Sequence, residues 1–143
     1  MSNDRYTEEI LRERFEQHKT YVKSTREILK KTKLRIRLPN MPEDISENII
    51  KFMIKYHLHD ETSVWAKNSK KTSGDLFSKI EGVQECKCFT SDGPLSFGPS
   101  EKWDVIYFLD GRNWLLDKFV LWRIKQPSNS KTWSELTLNK KKE

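Results

Sequence analysis

Apolar residues at Ile10, Leu11, Phe15, Tyr21, Val22, Ile28 and Leu29 recur at imperfect three-to-four spacing among Glu, Lys and Arg. That pattern belongs to an amphipathic helix, which buries one stripe and solvates the rest, and it predicts a helix over Tyr6 to Lys33. The helix ends before Leu38-Pro39-Asn40-Met41-Pro42, where the prolines withhold amide donors and hold the preceding residues extended. Pro42, Glu43 and Asp44 favour a new helix start, and Ile45, Ile49, Ile50, Met53, Ile54 and Leu58 supply a strong stripe for it. Thr62 to Ser73 is polar and aperiodic and reads as a loop. After Gly74, Asp75 to Ile80 and Val83 to Phe89 predict two short strands about a Glu81-Gly82 turn, where glycine can take a positive φ. Val105 to Leu109 is a continuous apolar run, Asp110-Gly111-Arg112-Asn113 is a turn, and Phe119 to Ile124 is a further strand. Both runs read as central-sheet strands buried on two faces. The elements add up to a single α/β domain.

Composition narrows the class. The chain has 143 residues, 35% of them hydrophobic, and its 5 Trp, 7 Phe and 4 Tyr can build a modest core, so wholesale disorder is not expected. Trp103, Trp114 and Trp122 read as core or strand-end packing rather than base-stacking platforms. No apolar run approaches the roughly 18 to 20 residues of a membrane span, and Met1-Ser2-Asn3-Asp4 opens no signal-peptide stretch. The expectation is a soluble, intracellular protein, cytoplasmic and nucleoid-associated. Cys86 and Cys88, one residue apart, neither staple distant segments nor form a zinc ligand set, and they read as small apolar side chains. His57 and His59 diverge by about 200° if both lie on a helix, which disfavours a shared metal, and His18 stands without a partner in sequence.

Charge is unevenly placed. Arg5 to Arg37 holds eleven Lys or Arg against five Glu, a net +6, while the rest of the chain is nearly balanced. Such asymmetry suits an anionic partner, most simply nucleic acid, although a solvated helix face accounts for it equally well.

The two predicted strands after Gly74 carry the most chemistry. Alternation on a strand projects Glu85 and Lys87 outward together and turns Cys86 and Cys88 to the core. Folding back at Glu81-Gly82 brings Asp75 within about one register step of Lys87, given a strand spacing of about 4.8 Å. Two carboxylates that close repel, and one gains a proton unless a cation lies between them. Mg²⁺ resolves the conflict, since it prefers hard oxygen ligands and is held by one or two carboxylates, waters and substrate phosphate. Such an ion polarises a phosphate and lowers the pKa of a bound water. Lys87 is placed to orient that water or to offset charge on the phosphate in the transition state. The main-chain carbonyl of Cys86 is a further candidate oxygen ligand. A surface ion pair of Lys87 with Asp75 or Glu85 accounts for the same residues without catalysis.

Beyond this hairpin, Thr90, Ser91, Asp92 and Ser96 lie among Gly-Pro turns and carry groups suited to base edges or phosphates. Asp92 can accept from a cytosine amino group, but capping a turn is the reading its neighbours favour. Lys67, Lys70 and Lys71 are candidate phosphate contacts in the preceding loop. Ser100 is placed to cap a short helix.

Gly74-Asp75, nine intervening residues and Glu85-x-Lys87 resemble the core of the PD-(D/E)xK nucleases, with Gly74 where a proline often stands. The segment from Lys87 through Thr90-Ser91-Asp92-Gly93-Pro94 to Trp103-Asp104 is similar to the corresponding part of type II restriction endonucleases, and the similarity extends from about Pro42 to Lys125. The resemblance implies a restriction-endonuclease-like mixed β-sheet flanked by helices, one domain over residues 1–143. Residues 42–125 would be its catalytic core and residues 1–38 a basic helical N-terminal extension. It implies a site-specific deoxyribonuclease of a restriction-modification system, hydrolysing phosphodiester bonds of double-stranded DNA with Mg²⁺, for which Mn²⁺ can substitute. Asp75 and Glu85 are then metal ligands and Lys87 the catalytic lysine. Glu47 matches the acid on the first core helix, where it binds a water or a second metal. One site per chain makes a two-fold homodimer the simplest way to cut both strands. The first helix serves either as dimer contact or as a grip on the DNA backbone. The alternatives are a non-catalytic nucleic-acid-binding module and a structure-specific repair or junction nuclease of the same superfamily.

Overall fold

The computed structural model describes residues 5–66, 75–90 and 103–125. Helix α1 spans Glu8–Thr32, and the Thr7 hydroxyl caps it by accepting from the Ile10 amide at 3.2 Å. Glu8 and Glu9 in the first turn and Lys30 and Lys31 in the last complement the helix dipole. Lys33 closes the helix in a left-handed conformation, φ 61°, its N–H donating to Leu29. Helix α2 spans Glu43–His57 after Pro42, close to the predicted bounds.

The inward face of α1 runs through Leu11, Phe15, His18, Val22, Thr25 and Leu29. His18 fills the gap that the apolar pattern leaves between Phe15 and Val22, and its ring stacks on Trp114 at 5.2 Å between centroids. Ile10, Tyr21 and Ile28, which the pattern places in the stripe, are exposed, because each precedes by one residue a position that turns inward. Polar contacts fix α1 on α2: the Arg14 guanidinium forks the Asp44 carboxylate with two bonds of 2.8 Å, and the Tyr6 hydroxyl donates to the same group at 2.6 Å.

Five strands form one mixed sheet in sequence order: β1 (Val64–Trp65), β2 (Leu76–Ser78), β3 (Gly82–Phe89), β4 (Val105–Asp110) and β5 (Val120–Ile124). All neighbouring pairs are antiparallel except β3 with β4. This is the restriction-endonuclease-like architecture that the resemblance implies. β1 lies in the stretch read as loop; two residues show no periodicity, and what makes them a strand is the pairing of Val64 with Phe77 and Trp65 with Leu76. The turn before β3 needs its glycine. Gly82 has φ +84°, and a Cβ there would lie 2.3 Å from the Asp104 carboxylate that receives the Val83 amide.

On one face, α2 lays Ile50 and Ile54 against Leu76, Cys86, Val105, Tyr107 and Leu109. Each buried aliphatic side chain of this kind stabilises by about 1.5–3 kcal/mol. The other face holds Trp103, Ile106 and Phe108 with Val83, Phe89 and Ile124. β4 is buried on both faces as expected, but β5 is not: it ends the sheet, and its Trp122 is 59% exposed, so this tryptophan is no core residue while Trp103 and Trp114 are. Among the described residues no helix is long and apolar enough to cross a membrane.

The buried His18 makes stability depend on pH. Burial lowers its pKa from the ordinary 6.5, the nearby Arg14 charge lowers it further, and Asp44 offsets part of this. The unfolded chain therefore takes the proton first, and stability falls as pH drops below about 6.5 until the folded value is passed. Asp44, held below its ordinary 3.8 chiefly by the Arg14 hydrogen bond, acts only at more acidic pH. Unfolding temperatures measured from about pH 7.5 to about pH 5.5 should decline for the natural chain and stay flatter for His18→Phe; equal slopes would refute the assignment.

Candidate active site

β2 and β3 part at Asp75. The Asp75 amide still donates to the Gln84 carbonyl at 3.3 Å, but the next β3 amide on that edge, Cys86, donates to the Asp75 carboxylate Oδ2 at 2.8 Å. A side chain has replaced backbone in the ladder, and this fixes a carboxylate at the strand edge. A strand residue turns its N–H and C=O to the same edge, so the Cys86 carbonyl faces Asp75 too. The neighbouring carbonyls agree: those of Val83 and Phe89 accept on the opposite edge, from Asp104 and Gly111.

The register of Leu76 with Gln84 continues to Asp75 opposite Glu85, with Lys87 two residues along. Lys87 Nζ stands 3.6 Å from Glu85 Oε2, close enough for charge pairing but longer than a hydrogen bond. The two share a face, as alternation predicts, but not an outward one. Glu85 is only 5% exposed and the Lys87 side chain 22%. The reason is packing: Val83 and Phe89, on the same face, belong to the second apolar cluster beside Ile106 and Phe108. The ion pair thus lies in low-dielectric surroundings, not on a solvated surface.

Glu47 enters from α2 and is 4% exposed. Its Oε1 accepts from the indole N–H of Trp65 at 2.8 Å, and Trp65 is packed edge-on by Tyr6 at 5.2 Å. One turn further along α2, the buried Lys51 donates to the Tyr6 carbonyl at 2.9 Å and lies over the Phe52 ring. Cys86 lies buried on β3, between Glu85 and Lys87 in sequence. Burial pushes its thiol pKa well up, and the charges of Asp75, Glu47 and Glu85, in that order, push it the same way. That thiol stays protonated and lies in the apolar core, so any metal ligation by Cys86 falls to its carbonyl. Burial likewise pushes the Cys88 thiol up to about 12.

The donor set suits a hard cation: carboxylates of Asp75 and Glu85 and one main-chain carbonyl. Among the described residues no three or more His, Cys, Asp or Glu side chains form a ready metal cage, and the exposed His57 and His59 take part in none. Thr90 is half-buried at the end of β3, its methyl beside Gly111. Lys67, Lys70, Lys71, Ser91, Asp92 and Ser96, and the helix proposed after Ser100, lie outside the described residues.

A family model described as Bsp6I restriction endonuclease matches residues 6–143. The chain belongs to the Bsp6I restriction endonuclease family. No curated protein and no solved structure matches it. Membership in the Bsp6I family makes the protein an endonuclease of a restriction system, with DNA as its substrate.

Within this member of the Bsp6I family, sequence reasoning missed Trp65, which holds the helix acid, Tyr6, which packs on Trp65, and Lys51, which bonds the Tyr6 carbonyl. The available signal was a lone tryptophan in a polar stretch, since an indole there asks for both an apolar bed and an acceptor. Trp65→Phe keeps most of the ring and removes the donor. Urea unfolding should show a loss of about 1.5–3 kcal/mol, the range for a hydrogen bond to a charged group. A cycle with Glu47→Leu, which leaves the indole no acceptor, should return a coupling of at least about 0.5 kcal/mol; strictly additive losses would show that the bond contributes nothing.

Proposed function

We propose that the protein is a type II, Mg²⁺-dependent site-specific endonuclease of the PD-(D/E)xK kind, cutting double-stranded DNA. The observation that carries this reading is the interrupted ladder, which holds Asp75 at the β3 edge beside Glu85 and Lys87 in a chain of a restriction endonuclease family. Asp75, Glu85 and the Cys86 carbonyl would hold the ion, and Mn²⁺ would fit the same oxygens. When bound, Mg²⁺ supplies polarisation of the scissile phosphate and a more acidic water.

The remaining work falls to side chains. Lys87 brings a positive charge to 3.6 Å from Glu85 and would offset negative charge growing on the phosphate, or orient the attacking water through its N–H groups. Glu85 restrains the ammonium by charge pairing. Glu47, fixed by Trp65, would orient a water or hold a second cation. Thr90, Ser91, Asp92 and Ser96, with Lys67, Lys70 and Lys71, are assigned to DNA contact. Cutting both strands of a symmetric site would use two copies related by a two-fold axis.

The test uses assorted plasmid DNA. Mg²⁺ should yield discrete fragments that EDTA prevents, whereas retardation without cutting would favour a binding module. Lys87→Ala should leave binding intact and slow cleavage by about 10²–10³-fold or more, as for loss of a transition-state charge partner. Asp75→Asn keeps an acceptor for the Cys86 amide but should lose calorimetric metal binding. Full activity in either variant overturns the assignment.

A further inference from the structure

Seven exposed cations on one arm of the molecule lack an acidic partner. They are Lys23, Arg26, Lys30, Lys31, Lys33, Arg35 and Arg37, and among the described residues none of them forms an ion pair. Glu27 is the one acid between Tyr21 and Arg37, so this stretch carries a net +6, equal to that of the whole chain. The preceding half of α1 is different. Its four Glu match the four cations from Arg5 to Lys19, and three of those cations are engaged internally: Arg12 with Glu8, Arg14 with Asp44, and Lys19 with Glu16 and Asp117.

The fold accounts for the division. His18 on Trp114 and Lys19 on Asp117 tie the middle of α1 to the loop after β4. The helix then continues from Val22 to Thr32, about 15 Å at 1.5 Å per residue, with only Thr25 and Leu29 half-buried. Lys23, Arg26 and Lys30 recur at three- and four-residue spacing and line one flank of this length. A merely solubilising face mixes both signs, as the first half of α1 does; a single-sign arm destabilises the compact chain by self-repulsion and calls for an external anion.

We propose that the C-terminal half of α1, with the arm to Arg37, is a docking surface for the phosphate backbone of duplex DNA, away from the residues assigned to catalysis. The choice of DNA as the polyanion rests on the nuclease reading. A second copy of the chain fits poorly, since pairing two such arms sets like charge against like. Phosphate contacts of this kind position the duplex without reading its sequence, and each releases counterions on binding.

Salt dependence tests it. Binding of the full chain to a fluorescent duplex is measured in EDTA across a salt series, for the natural protein, for Lys23→Gln/Arg26→Gln/Lys30→Gln, and for the control Lys79→Gln/Lys118→Gln/Lys125→Gln. All six sites are exposed, and glutamine is a good helix former. The arm variant should weaken binding to every sequence alike and flatten the slope of log K against log salt by about 2.7, at about 0.9 per lost contact. The control should keep the slope. An unchanged slope in the arm variant, an equal change in the control, or dimer dissociation in sedimentation with the slope retained overturns the proposal. Cleavage at saturating DNA with Mg²⁺ should keep its natural single-turnover rate in the arm variant. An arm-dependent slope in a natural protein that never cuts would refute the nuclease reading while supporting this one.

Discussion

The site depends on one substitution in the hydrogen-bond ladder: at Cys86 the β3 amide is received by the Asp75 carboxylate and not by a backbone carbonyl. Ordinary continuation of β2 would have closed that edge. Because the carboxylate takes the bond, it is tethered to the strand edge, and the carbonyl of Cys86 is left facing it. Everything else in the candidate site follows from strand arithmetic. Glu85 stands across from Asp75, and Lys87 is one alternation further on the same face.

Such a site needs a stiff frame, and polar groups supply much of it. Glu81, in the turn before β3, accepts from the Tyr107 hydroxyl at 2.6 Å, from Gln84 at 2.9 Å and from Arg123 at 3.0 Å. One carboxylate therefore joins β3, β4 and β5. Gln84, fully buried, uses its carbonyl to receive the Ser63 hydroxyl at 2.6 Å, which ties in the segment leading to β1. Buried polar groups are costly when unsatisfied and rigidifying when paired. Here the pairs run between successive elements, so shifting the β3 hairpin would break several at once.

Much of this was legible in the sequence. Both helices, the β2–β3 hairpin with its positive-φ Gly82 and the doubly buried β4 follow from periodicity and turn chemistry, which are local. What escaped was set by tertiary contact. β1 exists because two residues find β2, His18 is buried because Trp114 offers a flat ring, and β5 is half-exposed because it closes the sheet. Alternation correctly paired Glu85 with Lys87, but it cannot say which face is wet, and Val83 and Phe89 bring the second apolar cluster to theirs. Trp65 was invisible as a partner of Glu47 because the two sit eighteen residues apart on elements with no shared period.

The distribution of charge bears on how a carboxylate-rich site meets a polyanion. The charges of Asp75, Glu47 and Glu85 all push the Cys86 thiol pKa up, and Lys87 stands 3.6 Å from one of these acids, Glu85. On the proposed reading a bare phosphate would be repelled there until a divalent ion is added. Cations close to such a site would pair with its own acids, so on this reading those that attract phosphate lie elsewhere. The first half of α1 shows the outcome of proximity, with Arg14 and Lys19 consumed by Asp44 and Asp117. Among the described residues, the cations of α1 beyond Val22 form no ion pair. On the proposed reading, the length of α1 separates attraction of the duplex from the acidic chemistry that cuts it.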